Sequence, residues 1–113
     1  MFHVTIYQND KNECTGFQTE GHAGYAEAGK DIVCAAASVL IINTINAIEL
    51  YTDDKVSVMS EPEDGIITCH LAEPVSGEGM LLLKTMILGL SEMAHDENYA
   101  QYIDLSFEEV LQP

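Results

Sequence analysis

The first residues alternate between apolar and polar side chains. Phe2, Val4 and Ile6 fall on one side of Phe2–Gln8, and His3, Thr5 and Tyr7 on the other, which predicts a strand buried on one face. Asn9, Asp10, Lys11 and Asn12 form a turn cluster. Cys14–Glu20 returns with Thr15, Phe17 and Thr19 in alternation, so the two strands pair as a hairpin. The glycine-containing stretch 21–30 reads as a loop. From Ile32 the pattern changes to a helix over 32–51, with Asp31 as its N-cap because a carboxylate there can accept from Val33 or Cys34 N–H. The helix is apolar on most sides, and Ala35, Ala36 and Ala37 permit close packing, so burial on more than one face is expected. Residues 52–55 end it. A second hairpin follows, with strands at 56–60 and 66–71. In its turn Pro62 presets φ and Gly65 tolerates a positive φ. A loop over 74–79 offers Ser76 as a cap. A second, equally apolar helix covers 79–95, a last strand alternates over 102–107, and 108–113 is an acidic tail.

The order ββαββαβ within 113 residues predicts one α+β domain over residues 1–113. It has two layers: one mixed or antiparallel sheet with both helices packed on one face. Helices this apolar bury more surface than one sheet face needs. The excess is expected to cover a partner, most simply a second copy in a symmetric homodimer.

Composition narrows the function. Hydrophobic residues make up 47% of the chain, ordinary for a packed fold. The start lacks a basic region followed by an apolar segment, so no secretory leader is expected. The longest apolar runs are interrupted by Ser38, Lys84, Thr85 and Gly89 and fall short of the roughly 20 residues that span a bilayer. No membrane partner and a cytoplasmic location follow as expectations. The net charge is -15, and all four basic residues are lysines. Without arginine, the residue that grips phosphate as a fork, direct nucleic-acid binding is not expected. A field of that sign steers in a basic protein instead. Three cysteines with no C-x-x-C pair suit reduced thiols rather than a disulfide scaffold or a zinc site, so neither metal nor cofactor is expected.

Reactive chemistry concentrates in one stretch, where Cys34 follows His22 by twelve residues. A helix start favours a thiolate, because its N–H groups lack partners and its dipole favours negative charge. The dipole supplies about 0.3–2 kcal/mol, or at most roughly 1.5 pKa units. From an ordinary thiol pKa of about 8.5 that leaves ionisation incomplete near neutrality. Asp31 and the overall negative field oppose it further. An imidazolium at His22 would supply the remainder, provided the loop folds back to bring the two together. Helix-start N–H groups, Cys34's included, are candidates for the oxyanion hole. Ser38 shares the helix face of Cys34 and is a candidate hydrogen-bonding member of the site. The plain alternatives are a buried small hydrophobe for Cys34, a structural histidine, a cap at Asp31, a packing serine, and ordinary loop glycines at Gly24 and Gly29. Cys14 and Cys69 lack a comparable setting and are expected to be inert.

The run Gly21-His22-Ala23, then Gly29-Lys30-Asp31-Ile32-Val33-Cys34-Ala35-Ala36-Ala37-Ser38, closely resembles the signature of the bacterial ribosomal-processing cysteine proteases, the Prp family. The resemblance covers the whole chain in length and element order. It implies a cysteine endopeptidase, with His22 as general base and Cys34 as nucleophile, and with Asp31 and Ser38 in supporting positions. Gly21, Ala23, Gly24, Tyr25 and Gly29 would belong to the loop that meets the substrate. The implied substrate is large-subunit ribosomal protein twenty-seven. It carries a short apolar N-terminal extension ending in a pair of phenylalanines, followed by a basic mature part. The resemblance also implies homodimers. A rival from another class is a non-catalytic acidic adaptor for a basic ribosomal protein or assembly factor. A redox-sensing thiol at Cys34 is less well supported, because no resolving cysteine lies near it in sequence.

Overall fold

The computed structural model describes residues 1–21 and 28–110, with backbone alone at 28–31 and Pro62. The elements run β1 (Phe2–Gln8), β2 (Cys14–Glu20), α1 (Ala28–Tyr51), β3 (Val56–Glu61), β4 (Ile66–Leu71), α2 (Gly77–His95) and β5 (Ile103–Glu109), the ββαββαβ order expected. The strands form one mixed sheet in the order β3-β4-β2-β1-β5. β1 pairs in parallel with β5, and the other neighbours are antiparallel. The parallel pair arises because α2 carries the chain from β4 across to the far edge, as parallel strands require.

The period-two pattern sets the buried face. Ile6 stands opposite Phe17, Phe17 opposite Cys69, and Val4 opposite Thr19, all of them buried. α1 covers this face with Val33, Ala37, Ile41, Ile45 and Ile48, and α2 with Leu83, Met86 and Leu90, each stripe advancing by three or four residues. Each fully buried Leu or Ile contributes roughly 1.5–3 kcal/mol. A shift of register between Tyr7 and Gln8 sets Gln8 opposite Cys14, and Cys14 is buried. In the following turn, Asn9 Oδ1 accepts from Lys11 N at 2.9 Å and Glu13 N at 3.0 Å, so one buried side chain satisfies two backbone donors.

Three boundaries differ from expectation by two residues or more. α1 begins at Ala28, a turn before the expected Ile32, so Gly29 and Asp31 lie within the helix and Asp31 is not its N-cap. Alanine-rich sequence around Ala28 and 35–37 favours helix strongly enough to absorb Gly29, which costs about 1 kcal/mol against alanine. α2 begins at Gly77, because Ser76 accepts from Gly79 N–H and starts the helix there. β5 runs to Glu109 and takes in part of the expected acidic tail, since its ladder with β1 continues to Gln8.

By length and hydropathy alone, Ile32–Tyr51 would pass for a membrane span, with a mean hydropathy of 1.8. Here it lies on the sheet with one face in the core. Its other face leaves Ile32, Val39 and Leu50 exposed, matching the predicted excess of apolar surface.

Candidate active site

Cys34 sits in the second turn of α1, with only 9% of its surface exposed. It belongs to the inward stripe that continues through Ala37 and Ile41, while its neighbours Ala35 and Ala36 face outward. Ser38, one turn further on, is half-buried. The earlier helix start changes the expected electrostatics. An α-helix leaves its first four N–H groups unpaired, and the Cys34 N–H follows them. It is therefore not one of the free donors expected for an oxyanion hole. The dipole also fades beyond the first turn, so a thiolate here depends more heavily on a cationic partner.

The chain approaches this region through Gly21, the last described residue of the β2–α1 connection. Gly21 has φ +112°, a conformation that L side chains rarely adopt. Its N–H donates to the Asp64 carbonyl at 3.3 Å, and a Cβ there would stand 2.5 Å from the Met1 carbonyl oxygen. The end of β2 is thus pinned between the start of β1 and the β3–β4 turn. Thr19 adds a second tie. Its fully buried Oγ1 donates to Gly65 O and accepts from Ile67 N, both at 3.0 Å. The alternating pattern put Thr19 on the buried face but gave no sign of this bridge. His22, Ala23, Gly24 and Tyr25 lie outside the described residues, and Gly29 and Asp31 are placed by backbone only.

The other thiols suit no catalysis. Burial pushes Cys14 up to about 11, partly offset by its hydrogen bond with the Gly16 backbone. Burial, reinforced by the nearby Cys14 and Glu49, pushes Cys69 up to about 12. Both stay protonated near neutrality and are poor nucleophiles. The described histidines are engaged or remote. His3 Nδ1 donates to Asp104 Oδ1 at 2.8 Å, His95 Nδ1 donates to Ser91 O at 2.7 Å, and His70 is exposed on β4. Among the described residues, no group of three side chains could hold a metal.

Between α1 and α2 lies a shallow apolar hollow of about 570 Å³, lined by Ala35, Ala36, Val39, Leu40, Asn43 and Met93. It starts at the residue after Cys34. Alanine at 35 and 36 keeps its rim low, so an apolar side chain can lie there beside the thiol's helix.

The model of the family described as "Cysteine protease Prp" matches residues 1–104. The ribosomal processing cysteine protease Prp of Staphylococcus aureus is 31% identical over 107 residues, covering 95% of this chain and 99% of the relative. The Bacillus subtilis protein of the same description is 25% identical over 100 residues, covering 85% of this chain and 89% of the relative. Two crystal structures of the essential S. aureus ribosomal processing protease Prp are closely similar. The complex with a substrate peptide has a TM-score of 0.88 at 29% identity, covering 96% of this chain and 100% of that one. The complex with a covalently linked product peptide has a TM-score of 0.84 at 30% identity, with the same coverage.

Proposed function

The chain belongs to the cysteine protease Prp family, and from that premise we propose that it removes the short N-terminal extension of large-subunit ribosomal protein twenty-seven in the cytoplasm. The observation that carries the reading is the His22…Cys34 signature, with Cys34 on the second turn of α1 in a fold shared with a protease bound to a substrate peptide.

In this mechanism His22 takes the Cys34 proton, and the thiolate attacks the scissile carbonyl. The tetrahedral intermediate collapses to a thioester as His22 returns the proton to the leaving amine. The extension stays on Cys34 as the acyl group while the mature protein departs, and water then hydrolyses the thioester. The covalently linked product peptide of the S. aureus relative supports a covalent route. The high pKa values of Cys14 and Cys69 support the choice of nucleophile by leaving Cys34 without a rival thiol. Asp31 and Ser38 take supporting positions one turn to either side of Cys34, and the hollow at Ala35, Ala36 and Met93 suits the apolar extension. The exposed apolar face of α1, including Ile32, Val39 and Leu50, supports a homodimer.

The test is mass spectrometry of the host's full-length ribosomal protein twenty-seven after incubation with wild type or Cys34→Ala. One N-terminal cut by wild type alone is expected. A cut by both would contradict the assigned nucleophile. No cut by either, with a stable complex retained, would favour the acidic adaptor.

A further inference from the structure

Both helices pack on one side of the sheet, so among the described residues no helix covers the other face. Its outward positions carry no lysine, and its charges are unevenly placed. One row of paired residues runs across the strands. Asp104 of β5 stands beside His3 of β1, and His3 stands opposite Glu20 of β2. β2 and β4 pair as far as Thr19 opposite Ile67, one residue short of Glu20, and the next residue of β4, Ile66, stands opposite Glu61 of β3. Glu20, Glu61 and Asp104 are all exposed, while the flanking Thr19 and Ile103 are buried. The next row, with Thr5, Gln18, Thr68, Ser106 and the exposed Met59, carries no charge.

Neighbouring strands are about 4.8 Å apart, so the three carboxylates recur at roughly 10 Å intervals. That is too far apart to share a metal ion. It matches the advance of about three residues of extended polypeptide. Among the described residues neither Glu20 nor Glu61 has a cation within ion-pair distance. Half-buried Ile66 lies between them, where the methylene stem of a lysine or arginine can rest. The row also lies at the end of the sheet where β2 passes through Gly21 toward the helix of Cys34.

We propose that this open sheet face docks a lysine- and arginine-rich segment of the protein being cleaved, holding it across the strands while its apolar end reaches Cys34. The inference rests on the protease reading above and adds a second contact surface, outside the cleavage site, to it. Complementary charge is what selects the occupant: a chain of net charge -15 presents a face with acids and no lysine.

The experiment compares two substrates, the full-length ribosomal protein and a short peptide spanning only the cleavage site. The variant Glu20→Lys/Glu61→Lys/Asp104→Lys should raise KM for the full-length protein about tenfold and leave peptide cleavage unchanged. Glu20→Lys/Glu61→Lys, which keeps the His3–Asp104 contact, should show most of the same effect. A control with equal charge change off the sheet, Asp53→Lys/Glu92→Lys/Glu97→Lys, should raise KM less than about threefold. Equal losses in both triple variants would reduce the effect to the field of the whole protein and overturn the proposal. Equal losses on both substrates, or no loss at all, would overturn it too. If wild type cleaves neither substrate, the protease reading itself fails and this inference falls with it.

Discussion

Gly21 and Met1 are in contact: a Cβ at position 21 would lie 2.5 Å from the Met1 carbonyl oxygen. The backbone that leads into His22 is therefore fitted against the first residue of the chain, with φ +112° leaving glycine as the residue that fits. Gly21→Ala should destabilise the fold by about 1–3 kcal/mol, the cost of a non-glycine residue held in a forbidden region. It should also lower peptide cleavage at a temperature where the variant is still folded. Urea unfolding beside an activity assay checks both, and a variant that matches wild type in each would contradict the role given to this contact.

A second latch joins the α1–β3 connection to the start of α2. Asp54 accepts from Ser76 N at 2.9 Å and from Ser76 Oγ at 2.6 Å, and Ser76 Oγ in turn accepts from Gly79 N at 2.9 Å. Ser76→Ala should cost about 1 kcal/mol, the usual worth of an N-cap. The unfolding midpoint of the variant measures this, and an unchanged midpoint would contradict it.

The same latch has a pH signature. Burial opposes the charged form of Asp54, but hydrogen bonds from Ser76 and Thr52 outweigh it and hold the carboxyl below its ordinary value of 3.8. A carboxyl depressed on folding adds stability above its unfolded pKa and loses it as pH falls through the folded pKa. Wild type should therefore lose stability from about pH 4 downward more steeply than Asp54→Asn. Parallel unfolding curves for the two proteins across that range would contradict the expectation.

The thiols separate by reactivity. With Cys14 held at about 11 and Cys69 at about 12, alkylation of native protein near neutrality should stop at one equivalent per chain, on Cys34. His22→Ala should slow that labelling about tenfold or more by raising the Cys34 pKa. Peptide mapping after iodoacetamide treatment decides. Labelling of Cys14 or Cys69 at the rate of Cys34 would contradict it.

Much of this was legible from pattern. Phe2, Val4 and Ile6 identified the buried face of β1, and Pro62 with Gly65 marked the turn between β3 and β4. Ser76 was recognisable as a cap because a serine before an apolar run offers the oxygen that the first N–H groups need. The start of α1 was not. Asp31 is as favourable a cap by type as Ser76, yet the backbone continues as helix through it to Ala28. A local preference worth about 1 kcal/mol cannot decide between two starts one turn apart. Bonds between residues far apart in sequence, such as Thr19 to Gly65 and Asp54 to Ser76, leave no periodic trace. The Cys34 position was legible because the helix pattern around it is strong. The pairing proposed to give it chemistry rests on the spacing to His22 and the motif, and His22 lies outside the described residues.

The most direct test of the central claim is rapid-quench intact-mass analysis of the enzyme during turnover of the full-length ribosomal protein. The account predicts a transient species heavier than the enzyme by the acyl mass of the extension, with the adduct mapped to Cys34 and absent in Cys34→Ala. Turnover that proceeds in Cys34→Ala, or an adduct mapped to any other residue, would contradict it.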